Sequence, residues 1–319
     1  MEILAKRIRT ISPSQTLAIS AKAKAMKAEG EYVVNFGVGE PDFPTPAHIV
    51  EAGIEALRTG KTKYTPSSGI PELRKAICEK FARDNGLVYE PSQVIVSNGA
   101  KHSIFNVCYA LVDEGDEVII PAPYWLPYPE VVKTTPEQLE AAITPKTKLM
   151  IFNSPGNPTG AVYSEEEVRA LAAVLEKHGV YVLSDEIYER LVYTDVKPFS
   201  MAKVSQAMYE HTITVNGVSK TYSMTGWRIG YLAAPKEIAK AIDSFQSHAT
   251  SNACSVAQYA AIAALRSDEA CIREMISRFA ERREAALARI GRMKGTYCIV
   301  PEGAFYIMLV VSSAFGKSH

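Results

Sequence analysis

The segment Gly217-Val218-Ser219-Lys220-Thr221-Tyr222-Ser223-Met224-Thr225-Gly226-Trp227-Arg228-Ile229-Gly230 carries the strongest chemical signal in the chain. Lys220 sits among small and apolar neighbours. Such a setting disfavours the charged ammonium and leaves the amine available as a nucleophile. Further along the same segment, Arg228 offers a permanent charge and a planar donor fork suited to phosphate. A lone lysine of this kind is most often a surface residue and a lone arginine structural, so the pair must be weighed with its surroundings.

Other reactive or polar side chains follow short apolar runs. Asp185 and Tyr188 lie in Ser184-Asp185-Glu186-Ile187-Tyr188, where the aspartate alone also reads as a helix N-cap after a strand. Asn157 lies in Asn153-Ser154-Pro155-Gly156-Asn157-Pro158-Thr159-Gly160, which by itself is only a turn. Trp125 closes Pro121-Ala122-Pro123-Tyr124-Trp125; a tryptophan at a strand end is otherwise usually core. Gly99-Ala100-Lys101 hands a strand to a helix, so backbone N–H groups and the helix dipole face a phosphate there, a weak motif when taken alone. Tyr64, in Gly60-Lys61-Thr62-Lys63-Tyr64-Thr65, reads equally as a loop tyrosine packed on a helix. Gly37-Val38-Gly39-Glu40-Pro41-Asp42 is no dinucleotide fingerprint, because the third glycine is missing and prolines follow instead of a helix.

The elements that must position these residues are legible. Val94–Val96, Val118–Ile120, Leu149–Phe152, Val180–Leu183, Thr212–Val215 and Ile229–Ala233 are unbroken apolar runs, the mark of strands buried on both faces. Helical patterns separate most of them. Ser164 and Glu167 form a capping box before Val168, Leu171, Ala172 and Leu175, and Thr135-Pro136-Glu137-Gln138 is a second start signal. Strands alternating with helices predict an α/β fold with right-handed crossovers and a mostly parallel sheet. In such sheets the ligand crevice lies beyond the carboxyl ends of the strands, where these polar segments fall. The outer segments differ: helices are expected over Pro13–Glu29 and Glu269–Ile290, with a strand pair over Cys298–Val311 around Pro301-Glu302-Gly303. We therefore expect a large domain over residues 44–270 and a smaller one from residues 1–43 and 271–319.

Composition narrows the function classes. The chain has 319 residues, with 35 basic against 35 acidic side chains and 47% hydrophobic residues, which excludes disordered and fibrous classes. Charge balance gives no field to attract a polyanion, so no nucleic-acid partner is expected. The five cysteines are scattered and contain no Cys-x-x-Cys, arguing against a disulfide framework and a zinc site. No secretory signal or membrane-spanning run is seen, and a cytoplasmic location is expected.

The Lys220–Arg228 segment resembles the pyridoxal-phosphate attachment site of class I and II aminotransferases and meets each constrained position of that signature. The resemblance runs along almost the entire chain to the aspartate aminotransferase family of fold type I, its bacterial branch above all. It implies a large domain with a seven-stranded-type sheet sandwiched by helices, plus a smaller α+β domain from both chain ends. It implies pyridoxal 5'-phosphate (PLP) bound as a Schiff base on Lys220, which would also shuttle a proton. Asp185 would pair with the pyridine nitrogen, Asn157 and Tyr188 would hydrogen-bond the phenolate oxygen, and Trp125 would stack on the ring. Gly99, Ala100, Lys101, Ser219 and Arg228 would complete the cofactor site, with Tyr64 reaching the phosphate of the neighbouring subunit and making a homodimer obligatory. Gly39, Trp125, Asn157 and Lys101 would meet substrate, Lys101 at a distal carboxylate. The implied reaction is ping-pong amino transfer from an L-amino acid, aspartate favoured, to a 2-oxo acid such as 2-oxoglutarate. An aromatic or broad-specificity aminotransferase, or a PLP-binding but catalytically silent protein, are the alternatives.

The sequence departs from that family twice. Members carry a further strand-bearing segment between the helix starting near Tyr128 and the Thr135-Pro136 helix. After Pro301-Glu302-Gly303-Ala304-Phe305-Tyr306 they continue to an Arg-Leu-Ser motif whose arginine clamps the substrate α-carboxylate, whereas no arginine follows Arg292 here. Either segments are left out of this sequence or the chain is genuinely shorter, and only in the second case is the cofactor constellation retained while bidentate substrate clamping is lost.

Overall fold

The computed structural model describes residues 3–9, 15–37, 39–122 and 133–311. Two compact units divide it, Met1–Glu40 and Pro41–His319. In the first unit α1 (Lys6–Arg9) precedes α2 (Gln15–Ala28), the helix expected over Pro13–Glu29. The second unit opens with α3 (Ala47–Arg58), α4 (Pro71–Lys80) and a π turn over Phe81–Asn85, then β1 (Val94–Ser97), α5 (Ala100–Leu111) and β2 (Glu117–Ile119). It continues through α6 (Pro136–Ala142), β3 (Thr147–Asn153), α7 (Glu165–His178), β4 (Tyr181–Asp185), α8 (Gln206–His211), β5 (Thr212–Gly217) and β6 (Gly230–Ala233). Helices α9 (Lys236–Ala249), α10 (Ser255–Leu265) and α11 (Ala270–Ile290) lead to β7 (Thr296–Cys298) and β8 (Leu309–Val311).

All six apolar runs form strands of one sheet, in the order β1-β6-β5-β4-β3-β2. Strands β2 to β5 pair in parallel, while β6 runs antiparallel to both β5 and β1. The reversal has a local cause. A parallel return needs a crossover, usually a helix, and the 218–229 connection holds only the 3₁₀ turn Thr225–Trp227. This sheet has six strands among the described residues, rather than the seven-stranded type that the resemblance implied. The strand-bearing segment that family members carry after the Tyr128 helix reads as missing from this sequence, and residues 123–132 lie outside the described residues.

Both sheet faces are covered, which is why the strands read as continuous apolar runs. On one face Val94, Val96, Tyr231 and Ala233 pack with Leu73 and Ile77 of α4 and Ala257 and Ala261 of α10. On the other, Ile95, Leu149, Leu183, Ile213 and Leu232 pack with Val107 of α5 and Ala239 and Ile242 of α9. Each such large side chain removed from water contributes about 1.5–3 kcal/mol. Both predicted capping boxes form: the Ser164 hydroxyl accepts from the Glu167 N–H at 3.2 Å and Thr135 Oγ1 from the Gln138 N–H at 3.3 Å.

The C-terminal strand pair differs in register from the expectation. Thr296–Cys298 pairs with Leu309–Val311, and Pro301–Tyr306 lies in the connection between them. Pro301 has no N–H to offer a ladder. The following Glu302 and Gly303 N–H groups instead both donate to the Gly160 carbonyl at 2.8 Å, pinning this stretch to the Asn157 turn.

Candidate active site

A cavity of about 360 Å³ opens beyond the carboxyl ends of β3 and β4, lined among others by Asn153, Asn157, Thr159, Asp185, Ile187 and Tyr188. Parallel pairing puts Asn153 and Asp185 in register as the last residues of adjacent strands. Asn153 braces both neighbours: its Nδ2 donates to the Asp185 carbonyl at 2.9 Å, and its Oδ1 accepts from the Asn157 N–H at 2.8 Å.

Asp185 keeps the local role that its sequence position suggested, accepting the Ile187 N–H at 3.2 Å. Burial pushes its carboxyl up to about 6, against the opposing pull of that N–H bond and of the Lys220 charge. Lys220 therefore acts on Asp185 electrostatically. Its Nζ lies 5.9 Å from the centre of the Tyr188 ring and 5.4 Å from that of Phe305. Ser219 beside it is buried, and the Met224 N–H closes the turn onto the Ser219 carbonyl at 3.1 Å.

Tyr188 is buried, and its hydroxyl lies 2.7 Å from that of Tyr306 and hydrogen-bonds the Asn157 side chain. Burial drives the Tyr188 phenol above its ordinary range, with the Tyr306 hydroxyl adding to the rise, so the group is a neutral donor near neutral pH.

At the start of α5 the backbone and Arg228 come together as a candidate anion cradle. Gly99 has φ +86°, and a Cβ there would stand 2.4 Å from Arg228 Nη2. Gly230, paired with both Ser97 and Gly217, has no room for a Cβ either, which would meet the Ala100 nitrogen at 2.1 Å. These two glycines let the β6 end and its arginine lie against the helix N-terminus. The Arg228 guanidinium donates to the Asn98 carbonyl at 3.2 Å and the Thr225 carbonyl at 3.1 Å. The first N–H of α5 to bond within the helix is that of His102, to the Gly99 carbonyl at 3.0 Å. The preceding N–H groups of Ala100 and Lys101 belong to the end that attracts anions.

The structure thus brings together Asp185, Tyr188 and Asn157 at one cavity, with Lys220 within electrostatic reach, and Gly99, Ala100 and Arg228 at one helix end. Lys101 is exposed in the first turn of α5 and does not line the cavity. Tyr64, 94% exposed, lines a different cavity of about 320 Å³ with Thr62, Lys63, Thr250 and Asn252. Trp125 lies outside the described residues, and Gly39 belongs to the first unit. Sequence reasoning gave no role to Asn153 or Tyr306. Asn153 was detectable as the polar terminus of a strand running into the Asn157 turn; Tyr306 carried no local signal, since its partner is remote in sequence.

The donor set suits PLP: an amine for the aldehyde, a buried carboxylate for the ring nitrogen, a phenol and an amide for the phenolic oxygen, and an anion cradle for the phosphate. Among the described residues no group of three or more His, Cys, Asp or Glu side chains could hold a metal ion, and no helix is long and apolar enough to cross a membrane.

Comparison with known proteins shows the family of the chain. The family model described as aminotransferase class I and II matches residues 31–318. The aspartate aminotransferase of Geobacillus stearothermophilus is 50% identical over 95% of this chain and 82% of its own. The aspartate/prephenate aminotransferase of Cereibacter sphaeroides is 46% identical over 100% of this chain and 84% of its own. The crystal structure of the Rhizobium meliloti aspartate aminotransferase superposes with a TM-score of 0.93 at 42% identity, over 99% of this chain and 84% of that one. The fold is that of the fold type I transferases, whose class I and II aminotransferase members are PLP-dependent. The chain belongs to the class I and II aminotransferases, a PLP-dependent family, and is an enzyme of the aminotransferase class.

Proposed function

We propose that the protein is a PLP-dependent aspartate aminotransferase, moving the amino group of an L-amino acid, preferably aspartate, to 2-oxoglutarate by ping-pong transfer. The observation that carries this reading is the convergence of Lys220, Asp185 and Tyr188 at the strand ends, with Arg228 held against Gly99 at the α5 N-terminus. The names of the relatives support aspartate as the donor.

PLP, when bound, supplies an electron sink for the bonding pair released at the substrate α-carbon. The protein's residues do the rest. Lys220 is the covalent anchor, and its amine carries the proton to and from the α-carbon. The Asp185 carboxylate keeps the ring nitrogen protonated. Tyr188 and Asn157 donate to the phenolic oxygen and hold it ionised. Gly99, Ala100, Lys101, Ser219 and Arg228 bind the phosphate, with Tyr64 of a second copy, so that the working enzyme is a cytoplasmic homodimer. Trp125 covers the ring, and Gly39, Asn157 and Lys101 meet the substrate, residues 1–43 and 271–319 forming its smaller domain.

Purified protein reconstituted with PLP should absorb in the visible and lose that band on adding aspartate without an acceptor, while Lys220→Ala should do neither. A protein that takes up no PLP sinks the reading; one that takes it up but does not respond to any amino acid is a silent binder. The relative named aspartate/prephenate aminotransferase favours a broader acceptor range as the second reading. Comparing aspartate with phenylalanine and alanine as donors, and 2-oxoglutarate with prephenate as acceptors, separates the two.

A further inference from the structure

Behind the cavity wall lies a buried charged cluster that the reaction does not use. Asp185, Ile187 and Tyr188 line the cavity, whereas Glu186 and Glu189 do not. Ser184 and Ser200 donate to Glu186 Oε1 at 2.9 and 2.6 Å. Asn85, the last residue of the π turn after α4, donates through Nδ2 to Glu189 Oε2 at 2.7 Å and Glu186 Oε2 at 3.4 Å. Lys80, at the end of α4, ion-pairs with Glu189 and donates to Asn85 Oδ1 at 2.8 Å. The same π turn holds Arg190 through Asp84 at 3.6 Å. The side chains of Lys80 and Glu189 are only 4% and 8% exposed. With one cation for two carboxyls, burial and the neighbouring Glu189 charge push Glu186 up to about 7.

Such a cluster is a poor way to gain stability, since buried ion pairs can often be replaced by apolar residues at no loss. What it enforces is geometry. Residues 186, 189 and 190 are held from behind by one helix end and its π turn, which constrains where the cavity-facing residues between them can stand. We propose that Lys80 is a positioning residue for the cofactor site: through Glu189 and Asn85 it fixes the stretch that presents Asp185 and Tyr188. The proposal rests on the reading of the site as a PLP site.

Lys80→Met alone strands two buried carboxyls, so the informative protein is Lys80→Met/Glu189→Met, which removes the pair and refills its volume. We expect a melting midpoint at or above that of the wild type, PLP affinity lowered about tenfold or more, and kcat with aspartate at saturating PLP lowered to a similar degree. KM for aspartate should stay within about twofold, because the pair touches no substrate. A double variant that keeps wild-type affinity and kcat overturns the proposal. So does one that cannot fold, since the pair is then a determinant of stability. Wild-type protein that takes up no PLP would instead refute the reading of the site itself.

Discussion

The hydroxyls of Tyr188 and Tyr306 lie 2.7 Å apart, and their rings meet edge-on at 85° with centres 5.7 Å apart. A phenol has one proton to donate and an oxygen that can accept. Either oxygen can donate: Tyr306 accepts from Tyr188 where it raises that phenol, and when Tyr188 donates into the cavity Tyr306 donates to it instead, a chain of two hydroxyls that strengthens the terminal donor. Phe305 and Phe279 continue the contact toward α11, at 5.4 Å from Tyr188 to Phe305 and 5.5 Å from Phe305 to Phe279. The donor is thus held by a remote part of the chain.

We predict that Tyr306→Phe keeps the fold, losing about 1 kcal/mol or less, because the ring packing survives and only one hydroxyl is lost. The bound cofactor's visible band should change with pH at a higher value than in the wild type, since a weaker donor leaves the phenolic oxygen more basic. Titration by absorbance reads this shift; an unchanged midpoint would mean that Tyr306 only fills space.

Asp185 gives a pH dependence of stability in the protein without cofactor. Burial pushes its carboxyl up to about 6 from the ordinary 3.8, so between those values the folded state holds a proton that the unfolded state has released. Stability from this group is therefore greatest below about 4, falls as pH rises to about 6 and is flat above. Asp185→Asn removes the penalty. We predict that it stabilises the apoprotein at pH 7 by order of 1–3 kcal/mol, the open cavity's water reducing the gain, and leaves the pH 4 value little changed. Urea melts at both values test this, and equal stability at pH 7 would refute it. The same substitution should all but abolish transfer, the trade of stability against function expected of a buried active-site acid.

Legibility in the sequence followed distance along the chain. Apolar runs and capping boxes are local, so the strands from Val94 to Ala233 and helix α7 could be read directly. Lys220 and Arg228 share one segment, and the chemistry proposed for them was read from it. The antiparallel β6 was not read because its reversal depends on a connection lacking a helix, whose pattern in residues 218–229 resembled a site and not a turn. Tyr306, 118 residues from Tyr188, and Lys80 beneath Glu189 are set by tertiary packing alone. No local pattern announces either.

The two glycines of the anion cradle should respond differently. A Cβ at Gly230 meets backbone at the Ala100 nitrogen, which cannot move without shifting β6 or α5, so Gly230→Ala should destabilise by several kcal/mol. At Gly99 the obstacle is the far end of the Arg228 side chain, which can swing away, plus the strain of a residue with φ +86°. With ψ 160° the backbone there lies in a region essentially reserved for glycine, so Gly99→Ala should cost about 1–3 kcal/mol and dislodge the guanidinium. Its signature is a modest drop in melting midpoint with a disproportionate loss of PLP affinity. A matched loss in both variants would contradict the cradle.

Tyr64 lines a cavity separate from the one lined by Asp185 and Tyr188, so its proposed part in phosphate binding requires a second copy. That geometry has a testable consequence in mixed dimers. In a dimer of one Lys220→Ala chain and one Tyr64→Ala chain, one site inherits both lesions and the other inherits neither. Each variant alone should be impaired, Lys220→Ala to near zero, yet subunit exchange between them should restore up to about half of the wild-type rate per mixed dimer. If Tyr64 serves the site of its own chain, every site in the mixture carries one lesion and mixing gives only the average of the two parents. Activity measured before and after exchange, with dimer composition followed by differently tagged chains, discriminates between the two arrangements.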